Sequence, residues 1–307
     1  MMLAGLLFCF IATFFILAKF MDKLPRDHGR EFAVDGAKSA GKARGAGFVF
    51  IIVFVAGVVL FDSITVEKLI YLALTFACMM TGFLDDSAAV AWGELKKGLL
   101  DAAIAVAASV TYVFYHGTTV NLAVFKTSFV LPAPVFVILA IVLIWTSINV
   151  TNCADGVDGL SASLAIVTMG TFYLINQVTG CGTEMNPAIL MMMAVLIAYL
   201  WFNATPSLLM MGDAGSRAMG FFIAILALTS QSPFIYIPVA IVLILDGGLG
   251  LLKVSLLRFL KSKILFNTIT PLHDHARKVK GWSNTQCVFR FVILQIVAGA
   301  VVVYLVK

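Results

Sequence analysis

Charged residues are scarce in this sequence: they make up 12% of its 307 residues, whereas 61% are apolar. In a soluble domain about a quarter of the residues are charged and about half are apolar. The composition therefore excludes a soluble globular protein, a disordered chain and a collagen-like fibre. It predicts an all-α polytopic membrane protein that forms one domain over residues 1–307.

Paired cysteines are also lacking. The five cysteines form no C-x-x-C motif and mostly lie in apolar runs, so neither a disulfide framework nor a zinc site is expected. A cleavable signal peptide is not expected either, because no basic residue precedes the apolar stretch 1–20 and no small-residue cleavage site follows it. We interpret this stretch as the first membrane-spanning helix.

Long apolar runs are abundant, and their continuity is typical of membrane-spanning helices rather than of β-barrel strands. The connections 116–130 and 178–186 are short and carry no pattern of chemical interest. We therefore expect ten transmembrane helices, near residues 1–20, 45–61, 67–84, 98–115, 132–150, 159–177, 186–202, 212–230, 234–257 and 285–306.

The basic residues predict the orientation. If both termini are extracytoplasmic, 18 of the 21 Lys and Arg residues lie in segments on the cytoplasmic side. Cytoplasmic loops of membrane proteins carry such an excess. The clusters of polar residues lie at helix ends on the same side, so we expect an active site on the cytoplasmic face.

Three carboxylates are candidates for a cation site. Asp85 and Asp86 end the third predicted helix, where they repel each other and oppose the helix dipole. Such a pair often has a compensating cation such as Mg²⁺, although a solvated interfacial pair is the alternative. Asp213, in the motif Gly212–Ser216, could hold the same metal or could cap the eighth helix.

The densest polar segment runs from residue 149 to residue 160 between two apolar helices. Asp and Gly are ordinary turn and N-cap residues, but one cap needs only one Asp. The number of polar groups therefore favours a ligand site, and the candidate residues are Asn149, Asn152, Asp155, Gly156 and Asp158.

Polar residues near the C-terminus and in the first basic segment allow two interpretations. His273 and His275 could bind a ligand, but no Cys or further His completes a zinc site, and they could simply be solvated. Asp246 lies in an apolar run, just before two glycines. It is either a functional residue at a break in the helix or a side chain that forms a hydrogen bond with another helix. Segment 38–47 mixes basic residues with glycines, which suits phosphate binding or anionic lipid.

Four segments, taken in order, resemble the polyprenyl-phosphate N-acetylhexosamine-1-phosphate transferases: Phe83–Asp86, Asn149–Leu160, Asn203–Ser216 and Pro271–His275. The last segment and the stretch 280–286 are most similar to the branch that transfers a muramoyl-pentapeptide. Three positions depart from the family pattern. Asp274 stands in place of a histidine, Lys42-Ala-Arg44 replaces Thr-Pro-Thr, and Met210 replaces an aromatic residue.

The resemblance implies a multi-pass enzyme of the bacterial cytoplasmic membrane. Its Mg²⁺-dependent reaction would transfer phospho-N-acetylmuramoyl-pentapeptide from its UDP-activated form to undecaprenyl phosphate, giving lipid I and UMP in peptidoglycan synthesis. Asp213 would bind Mg²⁺, Asp85 and Asp86 would be catalytic and further candidate metal ligands, and Asp85 would be the candidate base. The substrate pocket would contain Lys38, Asn149, Asn152, Asp155, Gly156, Asp158, Asn203, Met210, Gly212, His273 and His275.

The resemblance also implies contact with membrane lipid and a homodimer, and no nucleic-acid partner is expected. Two other functions fit part of the pattern. One is transfer of N-acetylglucosamine-1-phosphate from its UDP form to start teichoic acid or another surface polymer. The other is secondary transport, which predicts polar residues near the membrane midplane and inverted repeats. No repeat is evident in the sequence.

Overall fold

The computed structural model describes residues 1–27, 29, 39–88, 90, 92–262, 264–265 and 267–307. Each of the ten predicted apolar segments contains helix. In chain order the α-helices are α1 Met2–Phe20, α2 Ala46–Phe61, α3 Val66–Asp86, α4 Glu94–His116, α5 Ala133–Cys153, α6 Leu160–Thr179, α7 Asn186–Asn203, α8 Gly212–Thr229, α9 Tyr236–Val239, α10 Ile241–Leu243, α11 Leu249–Leu260, α12 Leu272–Lys280 and α13 Asn284–Val306.

Fewer than ten of these helices meet the usual requirements for a membrane span. In the part of the chain that the structure describes, seven are long and apolar enough, or eight if the bent segment Pro233–Leu260 is counted as one span. Among the other predicted segments, α2 has 16 residues and α8 begins with the polar sequence Gly-Asp-Ala-Gly-Ser-Arg. Length and composition thus support a helical membrane protein with seven or eight candidate spans in the described part of the chain.

Helix α8 lies at the centre of the bundle, and all of its residues are buried. It packs against α3, α5 and α2, and glycines allow these helices to approach closely. A Cβ on Gly47 would collide with the backbone of Gly215, and a Cβ on Gly82 would collide with the backbone of Asp213. This packing fixes the beginning of α8 beside the end of α3.

The ninth predicted helix is broken, but the bend lies at Ala240, six residues before Asp246, and not at the glycines that follow Asp246. Its two parts, Pro233–Val239 and Ile241–Leu260, meet at an angle of 71°, and Asp246 lies in a π-helical turn, Ile244–Gly248. Backbone groups at the break find a partner in Gln295 of α13, whose side chain accepts from the N–H of Val242 and donates to the carbonyl of Val239. A polar side chain thus satisfies backbone groups that lipid could not.

The connection between α4 and α5 contains a β-hairpin that the sequence did not predict. Strands β1 Thr119–Leu122 and β2 Thr127–Val130 pair antiparallel, with Thr119 opposite Val130. Thr and Val are residues that favour strands, and Lys126 adopts a positive φ of 50° in the turn. The connection 116–130 thus has regular structure that was not predicted, while its role as a connection between two helices is unchanged.

Candidate active site

Three carboxylates meet where α3 ends and α8 begins. Asp85 and Asp86 are the last residues of α3, and Asp213 is the second residue of α8. Two basic side chains lie between them. Arg44 Nη2 lies 2.8 Å from Asp86 Oδ1 and 3.1 Å from Asp213 Oδ1, while Lys97 Nζ lies 2.5 Å from Asp85 Oδ2 and 3.9 Å from Asp213 Oδ2. The structure therefore brings these three sequence-predicted residues together.

Arg44 is held by acidic residues from three parts of the chain. Besides Asp86 and Asp213, it contacts Asp27, whose Oδ1 lies 3.3 Å from Arg44 Nη1. Burial lowers the pKa of the Arg44 guanidinium, but the carboxylates of Asp86, Asp213 and Asp27 outweigh this effect and raise that pKa above its ordinary value. A more distant carboxylate, that of Asp155, acts in the same direction. The guanidinium is thus a fixed positive charge within the acidic cluster.

Helix α4 supplies the second cation and anchors it. The backbone N–H of Trp92, two residues before α4 begins, donates to Asp85 Oδ1 at 2.7 Å. The other oxygen of this carboxylate, Oδ2, contacts Lys97 Nζ. One helical turn after Lys97, Asp101 forms a buried ion pair of 2.5 Å with Arg217 of α8. This pair ties α4 to α8 and helps to keep Lys97 beside Asp85.

The polar segment 149–160 begins within α5 rather than after it. Asn152, in the last turn of α5, donates from Nδ2 to Ser216 Oγ of α8 at 2.9 Å. Asn149 donates from Nδ2 to the carbonyl of Trp145 at 2.8 Å, within its own helix. The segment therefore contacts α8 through Asn152, one turn after Asp213.

Two predicted pocket residues hold the loops around the site. Asn203 Oδ1 accepts from the N–H of Gly159, and Asn203 Nδ2 donates to the carbonyl of Leu209, both at 2.8 Å. Asp158 Oδ2 accepts from the N–H of Ser207 at 3.2 Å and lies 3.7 Å from Lys42 Nζ. The segments after α5 and α7 are thereby joined to the basic segment before α2.

Met210 and Gly212 lie against that same basic segment. The N–H of Met210 donates to the carbonyl of Ala43 at 2.8 Å, and the carbonyl of Met210 accepts from the N–H of Ala46 at 3.0 Å. Gly212 has a φ of 69°, and a Cβ at this position would collide with Asp86 Oδ2. Glycine adopts this backbone conformation without strain, and its lack of a side chain leaves room for the carboxylate of Asp86.

His273 is buried at the start of α12 and packs on Gly156, where a Cβ would collide with Nε2 of the imidazole. Its Nδ1 lies 2.8 Å from Asp246 Oδ2, and its backbone N–H donates to Asp246 Oδ1 at 2.7 Å. The contact with Gly156 brings His273 to the polar segment 149–160. The broken helix thus supports this part of the site.

The residues after His273 have structural partners of their own. Asp274, which replaces the family histidine, is buried and forms an ion pair of 2.8 Å with Arg277 Nη2. His275 Nδ1 accepts from the N–H of Ile269 at 3.3 Å. Lys38, another predicted pocket residue, lies outside the described residues.

Three residues that contact the carboxylates or their cations, Arg44, Lys97 and Asp27, were not predicted as site residues from the sequence. Lys97 was interpreted only as a marker of membrane orientation, a role that basic residues near helix ends often have, whereas Arg44 lay in segment 38–47, for which phosphate binding was one of two interpretations. A second signal for Arg44 was that it replaces a neutral Thr of the family pattern. For Lys97 there was none, because its contact with Asp85 depends on how α3 and α4 pack.

The carboxylates fit Mg²⁺ better than a transition metal. Among the described residues, no group of three or more His, Cys, Asp and Glu side chains is placed to hold a metal ion by itself. Mg²⁺ does not need one, because it usually takes one or two carboxylates together with waters and substrate phosphates. The buried Asp86 Oδ1 accepts no aligned hydrogen bond from the described residues, so Asp86 and Asp213 offer oxygen ligands of the kind Mg²⁺ prefers.

Comparison with known proteins identifies the family. Residues 68–231, more than half of the chain, match Glycosyl transferase family 4. A phospho-N-acetylmuramoyl-pentapeptide-transferase of Treponema pallidum (strain Nichols) is 42% identical over 304 residues, which cover 93% of this chain and 84% of that protein. The chain belongs to the phospho-N-acetylmuramoyl-pentapeptide-transferase family.

Other relatives extend this similarity across bacteria. The phospho-N-acetylmuramoyl-pentapeptide-transferase of Corynebacterium jeikeium is 29% identical and that of Clostridium acetobutylicum 26% identical, each over 88% of this chain and 87% of the relative. These matches confirm the resemblance drawn from the four motifs. Together with the apolar helices, they assign this transferase to the bacterial cytoplasmic membrane.

Proposed function

We propose that this transferase moves phospho-N-acetylmuramoyl-pentapeptide from its UDP-activated form to undecaprenyl phosphate, releasing UMP and forming lipid I. The observation that carries the proposal is the meeting of Asp85, Asp86 and Asp213 with Lys97 and Arg44. Phosphoryl transfer depends mainly on positioning and on neutralising charge. A site with both fixed cations and oxygen ligands suits that task.

The proposed reaction takes place at the cytoplasmic face of a ten-helix bundle with both termini outside the membrane. The excess of Lys and Arg on one inferred side supports this orientation. The ends of the elements carrying Asp86, Asp213 and Asn152 fall on that same inferred side. The whole chain, 1–307, would then act as one domain.

The carboxylates have distinct proposed roles. Asp213 would hold Mg²⁺, with Asp86 beside it, and the metal would screen the diphosphate and the departing UMP. Asp85, anchored by Lys97 and Trp92, would position the lipid phosphate and would be the candidate base. A base is not essential, because a phosphate is already largely ionised near neutral pH. Lys97 would then donate to a phosphate oxygen.

The nucleotide sugar would contact the polar segments around the carboxylates. Asp158 and Met210 would lie near the uracil, with Lys42 close to Asp158, and His273 Nε2 would face the substrate above Gly156. The further proposed pocket residues are Lys38, Asn149, Asn152, Asp155, Asn203, Gly212 and His275.

The undecaprenyl chain would lie on an apolar surface beside the broken helix. An apolar pocket between the first half of α5, the end of α8 and the segment before α9 lies toward the inferred extracytoplasmic end, so it would hold the distal part of this chain and not the end that carries the phosphate. Its lining includes Phe136, Leu143, Leu228 and Phe234. A homodimer in the membrane is part of the proposal as well, and rests on the resemblance to the family.

A comparison of two nucleotide sugars tests the proposal. Purified protein with undecaprenyl phosphate and Mg²⁺ should release UMP from UDP-N-acetylmuramoyl-pentapeptide and not from UDP-N-acetylglucosamine. The reverse preference would support the transferase that starts teichoic acid or another surface polymer. Accumulation of substrate in sealed vesicles without UMP release would support a transporter instead.

A further inference from the structure

We propose that Arg44 is a resident cation that competes with Mg²⁺ for Asp86 and Asp213 and leaves these carboxylates when the diphosphate of the substrate binds. The inference deepens the proposed function, because it rests on Asp213 and Asp86 as the Mg²⁺ ligands. It concerns a residue that replaces a neutral Thr of the family pattern. It predicts that metal binding and nucleotide binding strengthen each other.

The position of the guanidinium supports the competition. A single nitrogen, Nη2, lies 2.8 Å from Asp86 Oδ1 and 3.1 Å from Asp213 Oδ1. Both distances are those of an ion pair, so a metal bound to these two oxygens would take the position that Nη2 now holds. Arg44 and a divalent cation therefore cannot both keep these contacts.

The contacts of Arg44 are also incomplete, which makes exchange possible. An arginine binds a carboxylate most strongly through two parallel hydrogen bonds, but here one nitrogen is shared between two carboxylates. Asp86 Oδ1 is buried and accepts no aligned hydrogen bond from the described residues. Arg44 therefore offsets the charge of the two carboxylates but leaves Asp86 Oδ1 without an aligned hydrogen-bond donor in the part of the chain that the structure describes.

A diphosphate offers the guanidinium a better partner. Arginine matches the geometry of phosphate oxygens and is the usual residue for binding them. If Arg44 turns to the diphosphate, Asp86 and Asp213 are left as two close negative charges, which favours the entry of a cation. Each ligand then improves the site for the other by the same factor.

The affinity for Mn²⁺, used as a spectroscopic substitute for Mg²⁺, tests the inference without turnover. Mn²⁺ binding is measured by electron paramagnetic resonance on purified protein in detergent, without nucleotide. Arg44→Gln should bind Mn²⁺ about tenfold more tightly than the unaltered protein, because the competing charge is removed. The matched control is Lys42→Gln, which removes one charge from the same segment and should change the affinity by less than about twofold.

An affinity in Arg44→Gln equal to or lower than that of the unaltered protein would overturn the inference, as would an equal gain in Lys42→Gln. Arg44→Lys covers the case in which the glutamine variant does not fold. Because the lysine side chain is shorter, its ammonium should not reach both carboxylates, so Mn²⁺ should bind more tightly than in the unaltered protein, and an unchanged affinity would count against competition.

Asp213→Asn separates this inference from the proposed function. Loss of Mn²⁺ binding in Asp213→Asn, combined with no gain in Arg44→Gln, would reject the role of Arg44 and leave the metal ligand in place. Retention of Mn²⁺ binding in Asp213→Asn would reject the proposed metal site itself.

Discussion

Asp246 holds His273 through two contacts: its Oδ2 lies 2.8 Å from Nδ1 of the imidazole, and its Oδ1 accepts the backbone N–H of the same residue. Both residues are buried. A carboxylate at Nδ1 fixes the proton on that nitrogen and leaves Nε2 available to a ligand. The π-helical turn of the broken helix thereby determines how His273 faces Gly156.

Replacing this carboxylate should reduce turnover without removing the imidazole. In Asp246→Asn the amide can present either oxygen or nitrogen to Nδ1, so the orientation of His273 is no longer fixed. We expect UMP release to fall about tenfold, the cost of one charged hydrogen bond. The double variant Asp246→Asn/His273→Ala should be no slower than His273→Ala alone. Additive losses would show that Asp246 acts independently of His273.

Gly156 should tolerate no side chain. A Cβ there would collide with His273 Nε2, so Gly156→Ala should displace the imidazole and lower kcat/KM by about a hundredfold. The matched control is Gly98→Ala in α4, where a Cβ would meet no atom within 4 Å and activity should be retained. If Gly156→Ala were as active as Gly98→Ala, the proposed position of His273 beside the substrate would be wrong.

Two adjacent lysines of α4 should behave differently. Lys97 lies 2.5 Å from Asp85, whereas Lys96 lies over the ring of Trp92. Because Lys97 supplies positive charge beside the carboxylates, Lys97→Gln should slow UMP release by about a hundredfold. Lys96→Gln removes the same charge one residue away and should have little effect. Comparable losses in both variants would indicate a general electrostatic effect instead.

The approach of α3 to α8 should be sensitive to one methyl group. A Cβ on Gly82 would collide with the backbone of Asp213, so Gly82→Ala must separate the two helices. We expect the free energy of unfolding in detergent to fall by about 1–3 kcal/mol, the usual cost of overpacking. Thermal unfolding followed by fluorescence measures this change, with Gly98→Ala as the control. An unchanged melting temperature would contradict the observed packing.

The sequence predicted the parts of the site that are local. Asp85 and Asp86 were expected at the end of a helix and Asp213 at the start of another, because apolar runs define helix ends directly. An irregularity near Asp246 was expected from its glycines, and it is present as the π-helical turn Ile244–Gly248, although the sharp bend lies earlier, at Ala240. These features need only the pattern of neighbouring residues, and the structure has each of them.

The remaining features depend on contacts between distant segments. Arg44 reaches Asp213 across 169 positions of sequence, and the pair Asp101–Arg217 joins helices separated by 116 positions. Such pairs follow from the packing of helices, which hydropathy does not determine. The backbone groups at the 71° bend likewise bond to Gln295 of the last helix.

The most direct test of the account is UMP release by Asp213→Ala from UDP-N-acetylmuramoyl-pentapeptide in the presence of undecaprenyl phosphate and Mg²⁺. The account predicts that this variant folds, with a melting temperature near that of the unaltered protein, and releases essentially no UMP. Asp85→Asn should behave in the same way. Turnover close to that of the unaltered protein in folded Asp213→Ala would contradict the central role of the carboxylate cluster.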